Sequence, residues 1–352
     1  MVDWTSSMTQ TYEYYVVDPN TWMDKEKLST VKSCSISRDS SAETLGSATI
    51  DVTESVGECY IRVYLVTIQN GVTERHPLGT FLIQTPSSSF NGKVKNVSMD
   101  AYTPLLELKE NPPPLGYSIL KGENIMSTAQ MIAREHVRAP IVGVKSSEVL
   151  YTDFVANSND TWLSFLRDFI ANAKRSFDLD EMGRILFAPN QYIASMQPVH
   201  TYNDDNSSIL YPDFSIEHDM YGVPNVVEIV YSKNSEFYFA RSVNNDPNSP
   251  VSTVNRGREI TLRVTDPNIG GIPTQRSVQE YADLYLRDVS TLEYTVTYTH
   301  AYCPVRVGDC VRLNYSRAGI TDVKAKVISQ NIKCVPGCPV TEKAKFTVKL
   351  LG

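Results

Sequence analysis

Residues 274–290 read TQRSVQEYADLYLRDVS and residues 291–316 read TLEYTVTYTHAYCPVRVGDCVRLNYS, and the two runs have different hydrophobic periods. In the first run the apolar residues recur every three or four positions, which is the spacing of a helix with one buried face: Val278, Tyr281, Ala282, Tyr285, Leu286 and Val289. In the second run Leu292, Tyr294, Val296 and Tyr298 alternate with threonines, which is the period of a half-buried strand. We therefore predict a helix near residues 275–289 that leads directly into a strand.

The segments that follow continue the strand pattern. Residues 322–335 read DVKAKVISQNIKCV and residues 342–351 read EKAKFTVKLL. The Val-Gly-Asp at 307–309 separates two strand-like runs, and its glycine suits a turn with an unusual φ angle. We predict a long antiparallel meander after the helix, with the last strand tied into the sheet.

The totals describe a β-rich globular protein of more than one domain. The 352 residues suggest two or three domains, and 41% hydrophobic with 21% charged residues is typical of a globular chain. The 20 tyrosines, together with valine, threonine and isoleucine, favour strands. The net charge of −7 argues against a dedicated nucleic-acid binder, although it is compatible with DNA passing without being held.

The sequence contains no targeting or membrane signal that we recognise. No apolar run approaches the roughly 20 residues that span a bilayer, and the start, MVDWTSSMTQTYEYYVV, lacks the basic and apolar regions of a signal peptide. We expect synthesis in a reducing cytoplasm, so that the six cysteines are free thiols.

Residues 1–110 are expected to form a β domain, a barrel or a sandwich. Strand-like runs alternate with turn signals, and Asn70-Gly71 favours a tight hairpin turn. The prolines of Asn111-Pro112-Pro113-Pro114 cannot donate to a sheet, so we place a domain edge there.

Residues 111–199 are expected to form an α+β middle domain. One helix is predicted over residues 123–137, and a second is marked by an apolar stripe from Trp162 to Ala173. Asn159 or Asp160 is the predicted cap of the second helix. A β-hairpin is predicted next, with strands 176–179 and 184–188.

Residues 200–352 return to strands and form the third predicted domain. Strands are predicted before and after a break at Tyr221-Gly222, and the segment 242–257 is predicted to be an exposed polar loop because it is rich in Asn, Asp, Pro and Ser.

The cysteines are the sharpest candidate metal site. Cys334 and Cys338 are four residues apart, and Cys303 and Cys310 flank the 307–309 turn, so four thiolates could form a tetrahedral zinc site. The spacing differs from the usual zinc knuckle. The alternative is that these are small buried residues of a sheet, and we assign no metal ligand.

Catalytic signals are weak. The phosphate-binding, hydrolase and metalloprotease motifs GxGxxG, GxxxxGK[ST], GxSxG and HExxH do not occur. Carboxylates are adjacent in turns, where aspartate is common for local reasons: Asp178, Asp180, Glu181, Asp204, Asp205, Glu217 and Asp219. The histidines are scattered at 76, 136, 200, 218 and 300. We assign no catalytic and no cofactor-binding residue.

Three segments in order resemble the baseplate and tail hub proteins of tailed bacteriophages, a family that includes the N-terminal hub region of tail-associated lysins and the hubs of contractile injection systems. They are DTWL (160–163) running into FDLDEMGRILF (177–187), VPNVVEIVY (223–231), and the closing helix followed by PVRVGDCVRL (304–313). Their order and spacing carry the resemblance, which covers residues 150–352 best.

The resemblance implies an α+β, mostly β fold with two tube-type antiparallel β-barrel-like domains, 1–110 and 200–352, around the helix-containing middle region 111–199. It implies a homotrimeric ring that continues the tail tube, lets DNA pass through its lumen and binds no cofactor. The implied partners are further copies of the chain and the distal tail, tail tube, tape measure and spike or fibre proteins. The implied location is the virion tail, after synthesis in the host cytoplasm. The sequence shows no peptidase or muramidase region, so we expect no enzymatic activity.

Two alternatives remain open from the residues alone. A cell-wall or polysaccharide hydrolase requires two acids facing each other across a cleft. A carbohydrate-binding adhesin requires tyrosines exposed in a row, whereas a hub buries them in cores and interfaces.

Overall fold

A computed structural model of the chain describes residues 2–54, 56–92, 94–205, 208–232, 237–267, 269 and 274–350. With 46% of residues in strands and 15% in helices, the fold is α+β and mostly β, with large antiparallel sheets. The predicted fold class is confirmed at this level.

Strands and helices are numbered in chain order. The strands are β1 (Thr9–Val17), β2 (Asp24–Lys27), β3 (Val31–Asp39), β4 (Gly46–Val52), β5 (Tyr60–Gln69), β6 (Val72–Asn91), β7 (Val94–Tyr102), β8 (Ser118–Ile119), β9 (Phe154–Val155), β10 (Arg175–Leu179), β11 (Ile185–Pro189), β12 (His200–Asn203), β13 (Leu210–Asp219), β14 (Val226–Tyr231), β15 (Tyr238–Val243), β16 (Thr261–Thr265), β17 (Thr291–Ala301), β18 (Cys310–Tyr315), β19 (Ile320–Lys333) and β20 (Pro339–Lys349). The helices are α1 (Leu106–Lys109), α2 (Ile125–His136), α3 (Trp162–Ala171), α4 (Thr253–Arg256) and α5 (Gln275–Val289), with single 3₁₀ turns at Ile193–Ser195 and Ser316–Ala318.

The chain forms two compact units, and each is built from separate stretches of sequence. The large unit contains Met1–Phe214 and Tyr298–Lys343, and the small unit contains Ser215–Thr297 and Ala344–Gly352. The division into three domains with boundaries at residues 110 and 199 stays a prediction. Residues 351 and 352, at the end of the third predicted domain, lie outside the described residues.

The main sheet of the large unit joins the two ends of the chain. Its strand order runs β19-β3-β4-β7-β6-β5-β1-β2, with antiparallel neighbours throughout. Strand β18 pairs antiparallel with β19, and β12 pairs parallel with β18. Strand β5 is buried along most of its length, as expected for a strand covered on both faces.

The turn predicted at Asn70-Gly71 joins β5 to β6. Both residues have positive φ angles, 52° and 77°, which the primed hairpin turns require. An asparagine and a glycine tolerate this backbone better than other residues, so the local sequence is sufficient to place this hairpin.

The helices of the middle region pack into one apolar core. The buried stripes of α2 and α3 are those that the sequence predicted, including Ile132 and Phe169. The predicted cap of α3 is wrong. Thr161 caps it, because its Oγ1 accepts from the Ser164 amide at 3.2 Å and Ser164 Oγ accepts from the Thr161 amide at 2.9 Å. Asp160 instead accepts from the Asn157 amide at 2.7 Å.

The predicted C-terminal meander is partly wrong. Strands β18, β19 and β20 are sequential neighbours, but β17 lies beside β20 and not beside β18. The connection 302–309 is too long for a tight hairpin and carries the chain to the far side of β19. It ends in the predicted turn, where Gly308 has φ +96°.

The small unit contains a three-stranded sheet, β15-β14-β16, covered by α5. Strand β14 pairs antiparallel with β15 and parallel with β16. Helix α5 has the bounds that its apolar period predicts, and it buries Val278, Ala282 and Leu286 against the sheet.

The segment 242–257 is only in part the exposed loop that its polarity predicted, because exposed residues alternate with buried ones. Asn244 and Ser249 are buried and bonded to each other, with Asn244 Nδ2 3.0 Å from Ser249 Oγ. The Asn255 amide group donates to the carbonyls of Pro247 and Ser249, both at 2.8 Å, and α4 lies within the segment. The polar side chains satisfy one another, so burial costs little.

Candidate functional site

The tip of the β10–β11 hairpin is held on the main sheet by a buried arginine. Arg62, on β5, is 1% exposed. Its guanidinium pairs with Asp24 at 2.7 Å and donates to Thr80 Oγ1 at 2.9 Å and to the Met182 carbonyl, in the hairpin turn, at 3.1 Å. A buried arginine requires acceptors for all of its donors. Because one of these acceptors is the Met182 carbonyl, Arg62 determines where the hairpin packs on the sheet.

The hairpin tip lies flat against the sheet because residue 183 is a glycine. Gly183 has φ +74°, and a Cβ built there would lie 2.7 Å from Thr80 Cβ and 3.2 Å from a ring carbon of Trp22. Trp22 Nε1 also donates to the Met182 carbonyl at 2.7 Å. Any side chain at position 183 would push the turn away from the sheet.

A cavity of about 320 Å³ opens beside this hairpin. Its walls are strands β3 and β6, the hairpin, and the 306–309 turn, and they are largely apolar with these charged residues among them: Arg38, Asp178, Asp180, Glu181, Arg306, Asp309 and Lys326. The cavity lies entirely within the large unit.

Most of these charges are paired with each other. Glu181 lies 2.9 Å from Arg306 Nε and 3.4 Å from Arg38 Nη1. Arg306 Nη2 also lies 3.6 Å from Asp178 and donates to the Leu179 carbonyl. Asp309 accepts from the Arg306 amide at 2.8 Å. The network ties the hairpin turn to β3 and to the 306–309 turn.

Burial raises the pKa of Asp178 and of Asp309, and the nearby Arg306 opposes this shift in both. Burial alone would lower the pKa of Arg306, but Glu181 and Asp178 raise it.

The candidate acids Asp178, Asp180 and Glu181 lie close together, but each is bonded to a neighbour: Asp180 accepts from the Arg184 amide at 2.8 Å. These contacts stabilise the packing of the hairpin against its neighbours. They do not form a pair of acids that face each other across a cleft, as a glycosidase requires.

A second polar cluster is buried between side chains of strands β12, β17, β19 and β20. Glu342 accepts from the Tyr298 hydroxyl and from Gln330 Nε2 at 2.7 Å, and its Oε2 lies 3.4 Å from His300 Nε2. The His300 side chain also lies 3.1 Å from the Tyr202 hydroxyl. Burial alone would lower the pKa of His300, but its bonds with Cys303 and Glu342 raise that pKa to about 10.

The two clusters are connected. Arg38 Nη1 donates to Gln330 Oε1 at 3.2 Å, and Gln330 contacts Glu342. A continuous path of polar contacts therefore runs from the buried histidine to the cavity. One signal in the sequence could have indicated such sites: a charged or polar residue inside an apolar strand, such as Arg62 in YIRVYLVTI.

The structure does not bring the four candidate zinc ligands together. Cys334 and Cys338 lie in the N-terminal core with Cys34, whereas Cys303 lies 3.3 Å from the Tyr202 hydroxyl and Cys310 is on β18. Among the described residues, no group of three or more His, Cys, Asp or Glu side chains is arranged to hold a metal ion.

The other candidate acids and histidines are separate from one another. Asp204 accepts from Ser316 Oγ at 2.7 Å, and Asp219 accepts from the Tyr221 amide at 2.7 Å. The rings of His76, His136, His200 and His218 pack against Trp4, Trp162, Tyr202 and Tyr294 respectively. Asp205 and Glu217 join no site described above.

No protein-family model matches the sequence, and no curated protein matches it significantly. Solved structures do match it over nearly its whole length. A tail protein from Neisseria meningitidis MC58 aligns with TM-score 0.64 and 13% identity, covering 96% of each chain. The 43 kDa tail protein of prophage MuSo2 from Shewanella oneidensis aligns with TM-score 0.60 and 8% identity, covering 95% of this chain and 97% of that one.

A third match is the prophage tail protein gp18 from Listeria monocytogenes EGD-e, with TM-score 0.50, 12% identity and 94% of each chain covered. The chain therefore has the fold of prophage tail proteins, as the resemblance in its sequence predicted. Of the helices in the described part of the chain, none combines the length and apolar character that a membrane span needs.

Proposed function

We propose that the chain is a structural hub of a bacteriophage tail tip or baseplate and not an enzyme. The observation that carries the proposal is the match of the whole fold, rather than of one domain, to tail proteins of three bacteria. The charged cavity supports it as well, because its acids are committed to ion pairs that hold segments together.

The hub would assemble as a homotrimeric ring. Each chain would supply two tube-type β domains, so that three chains present six similar domains to a tail tube of six-fold symmetry. The sheet of the small unit offers strands for such contacts, because β15 and β16 each have a neighbour in this sheet on one side only. Ring closure would cover such edges, which otherwise favour aggregation.

The ring would surround the path of the genome. The net charge of −7 favours a lumen that repels phosphate, so that DNA slides through during ejection without specific binding. The ring would contact the tail tube and tape measure proteins on one side, and distal tail and spike or fibre proteins on the other, within the virion tail.

No specific observation favours either alternative, the hydrolase or the carbohydrate-binding adhesin. Several tyrosines are core residues and cannot contact a sugar, among them Tyr60, Tyr202 and Tyr298. The exposed ones in the described structure, Tyr151, Tyr192, Tyr211 and Tyr221, lie on four separate segments.

Light scattering on the purified chain at several concentrations tests the ring. A species near three times the 39.4 kDa chain, seen as a ring with a central hole in electron micrographs, is the expected result. A monomer that stays monomeric when mixed with its tail tube protein would contradict the proposal. Release of sugar or peptide from cell walls would favour the hydrolase instead.

A further inference from the structure

Two cysteines that are 300 positions apart in the sequence lie next to each other on neighbouring strands of the main sheet. Strands β3 and β19 pair antiparallel with Ser35 opposite Lys333, so Cys34 lies opposite Cys334. The Cys334 amide donates to the Cys34 carbonyl at 3.0 Å, so one backbone hydrogen bond continues the pairing just past the end of β19. Both side chains are buried in the same core cluster, so the two thiols lie on one face of the sheet.

The distance between these residues suits a covalent bond. The Cα atoms of residues opposite each other in antiparallel strands are about 4.5–5.5 Å apart, and disulfides span Cα separations of about 4.4–6.8 Å. Cys334 directly follows the last residue of β19, so its backbone can adjust more easily than that of a residue inside a ladder.

We propose that Cys34 and Cys334 are an oxidation site that forms a reversible disulfide between β3 and the end of β19. The oxidant is a low-molecular-weight disulfide such as oxidised glutathione. One protein thiolate attacks it, forms a mixed disulfide and releases one small thiol. The second protein thiolate then attacks the mixed disulfide and releases the other, so that two protein thiols and one small disulfide yield one protein disulfide and two small thiols.

Cys334 is the thiol that reacts first. It is followed by an exposed turn, residues 335–337, in which Val335 is 43% exposed, whereas Cys34 lies within β3. Local opening of this turn exposes Cys334 without disrupting the ladder. Its hydrogen bond with Cys34 and its burial raise the pKa of Cys334, so the reaction is slow at neutral pH and faster at alkaline pH.

A third thiol nearby offers a competing product. Cys338 is buried in the same core, at the other end of the exposed turn. Cys34 lies on the strand next to Cys334, whereas Cys338 lies in the same turn as Cys334. The Cys338 amide donates to the Val335 carbonyl within that turn and not across the sheet. Disulfide exchange requires the two sulfur atoms to approach each other, and the direct cross-strand register favours Cys34.

The experiment oxidises the folded full-length chain with oxidised glutathione, traps the remaining thiols by alkylation and maps peptides without reduction. The expected result is loss of two of the six thiols, recovery of the Cys34 peptide linked to the Cys334 peptide, and a rise in melting temperature of about 5 °C. Dithiothreitol should restore both thiols and the original melting temperature.

Two variants serve as controls. Cys334→Ser should lose both the linked peptide and the shift in melting temperature, whereas Cys310→Ser, which changes a buried thiol on another strand, should retain both. If Cys334→Ser does not fold, Cys334→Ala serves in its place, and the peptide map of the unaltered chain is decisive by itself. Six alkylated cysteines after oxidation, a Cys334–Cys338 link, or a persistent glutathione adduct would each overturn the proposal. None of these results depends on the assembly state of the chain.

Discussion

Glu342 in the large unit and Glu228 in the small unit occupy similar positions and differ in their surroundings. Each lies on a strand between two neighbours and receives donors from both. Glu342 contacts Tyr298 on β17 and Gln330 on β19, and Glu228 contacts Arg241 on β15 and Arg263 on β16. The side chains of Glu342 and of His300 beside it are fully buried, whereas Glu228 is 16% exposed and its partner Arg263 is 67% exposed.

The difference shows that the same pattern of cross-strand pairing can contribute very different amounts to the free energy of unfolding. Water competes for the Glu228 pairs, and salt screens them, so they contribute little. Glu342 has no water to replace a lost partner, so its neighbours depend on it. The predictions below test this contrast, beginning with the largest expected effect.

Glu342→Ala should produce the largest loss, about 3–5 kcal/mol in the free energy of unfolding, because it leaves a buried histidine, tyrosine and glutamine without their acceptor. Denaturant titration measures the loss. Glu342→Gln should lose less, since an amide oxygen can still accept from Tyr298. A loss from Glu342→Ala no larger than that from Glu228→Ala would remove the contrast.

Arg62→Met should cost about 2–4 kcal/mol, because it leaves Asp24 and the Met182 carbonyl short of a donor. The β10–β11 hairpin should loosen, which hydrogen exchange near residue 182 detects. The matched control is Arg75→Met: Arg75 pairs with Glu13 at 3.0 Å but is 42% exposed, so about 1 kcal/mol or less is expected. Equal effects of the two variants would show that Arg62 does not anchor the hairpin.

His300 should make stability fall as the pH rises above neutrality. Its folded-state pKa of about 10 lies above the unfolded value of roughly 6.5, so its contribution is fully present below pH 6.5 and is lost as the pH rises through 10. The slope attributable to this group is at most about 1.4 kcal/mol per pH unit. The measurement is the difference in unfolding free energy between the unaltered chain and His300→Gln from pH 7 to pH 9. A constant difference would mean that His300 is neutral in the fold.

Glu228→Ala should have the smallest effect of the set. Its loss of stability should shrink further at high salt, because the two arginines that it contacts are exposed. Thermal melts at low and high ionic strength measure it. A loss that is unchanged by salt would indicate that the pairs are shielded from solvent, for example by another chain.

Local features of this fold could be read from the sequence because they depend on neighbouring residues. The bounds of α5 follow from its apolar period, the β10–β11 hairpin from its turn, and the Asn70-Gly71 turn from the φ angles that these residues accept. The cap at Thr161 was missed because three adjacent polar residues can all cap, and only the observed hydrogen bonds distinguish them.

Features that depend on distant residues could not be read. Nothing in β3 or β19 indicates that they pair, because strand register over such a separation is set by the whole sheet. The clusters around Arg62 and Glu342 gather side chains from several segments each, so their geometry has no local pattern. Polarity was only a partial guide for residues 242–257, because some of its Asn and Ser side chains are buried and satisfy each other's hydrogen bonds.

The pairing of β3 with β19 also determines when the large unit can form. Arg38 and its contact Gln330 are 292 residues apart, so β3 emerges from the ribosome long before its partner exists. At about 5–20 residues per second, the delay amounts to roughly 15–60 s. During that interval β3 has an open edge, and the sheet is completed only after β19 has been synthesised. A stop codon before β19 would leave that edge permanently open.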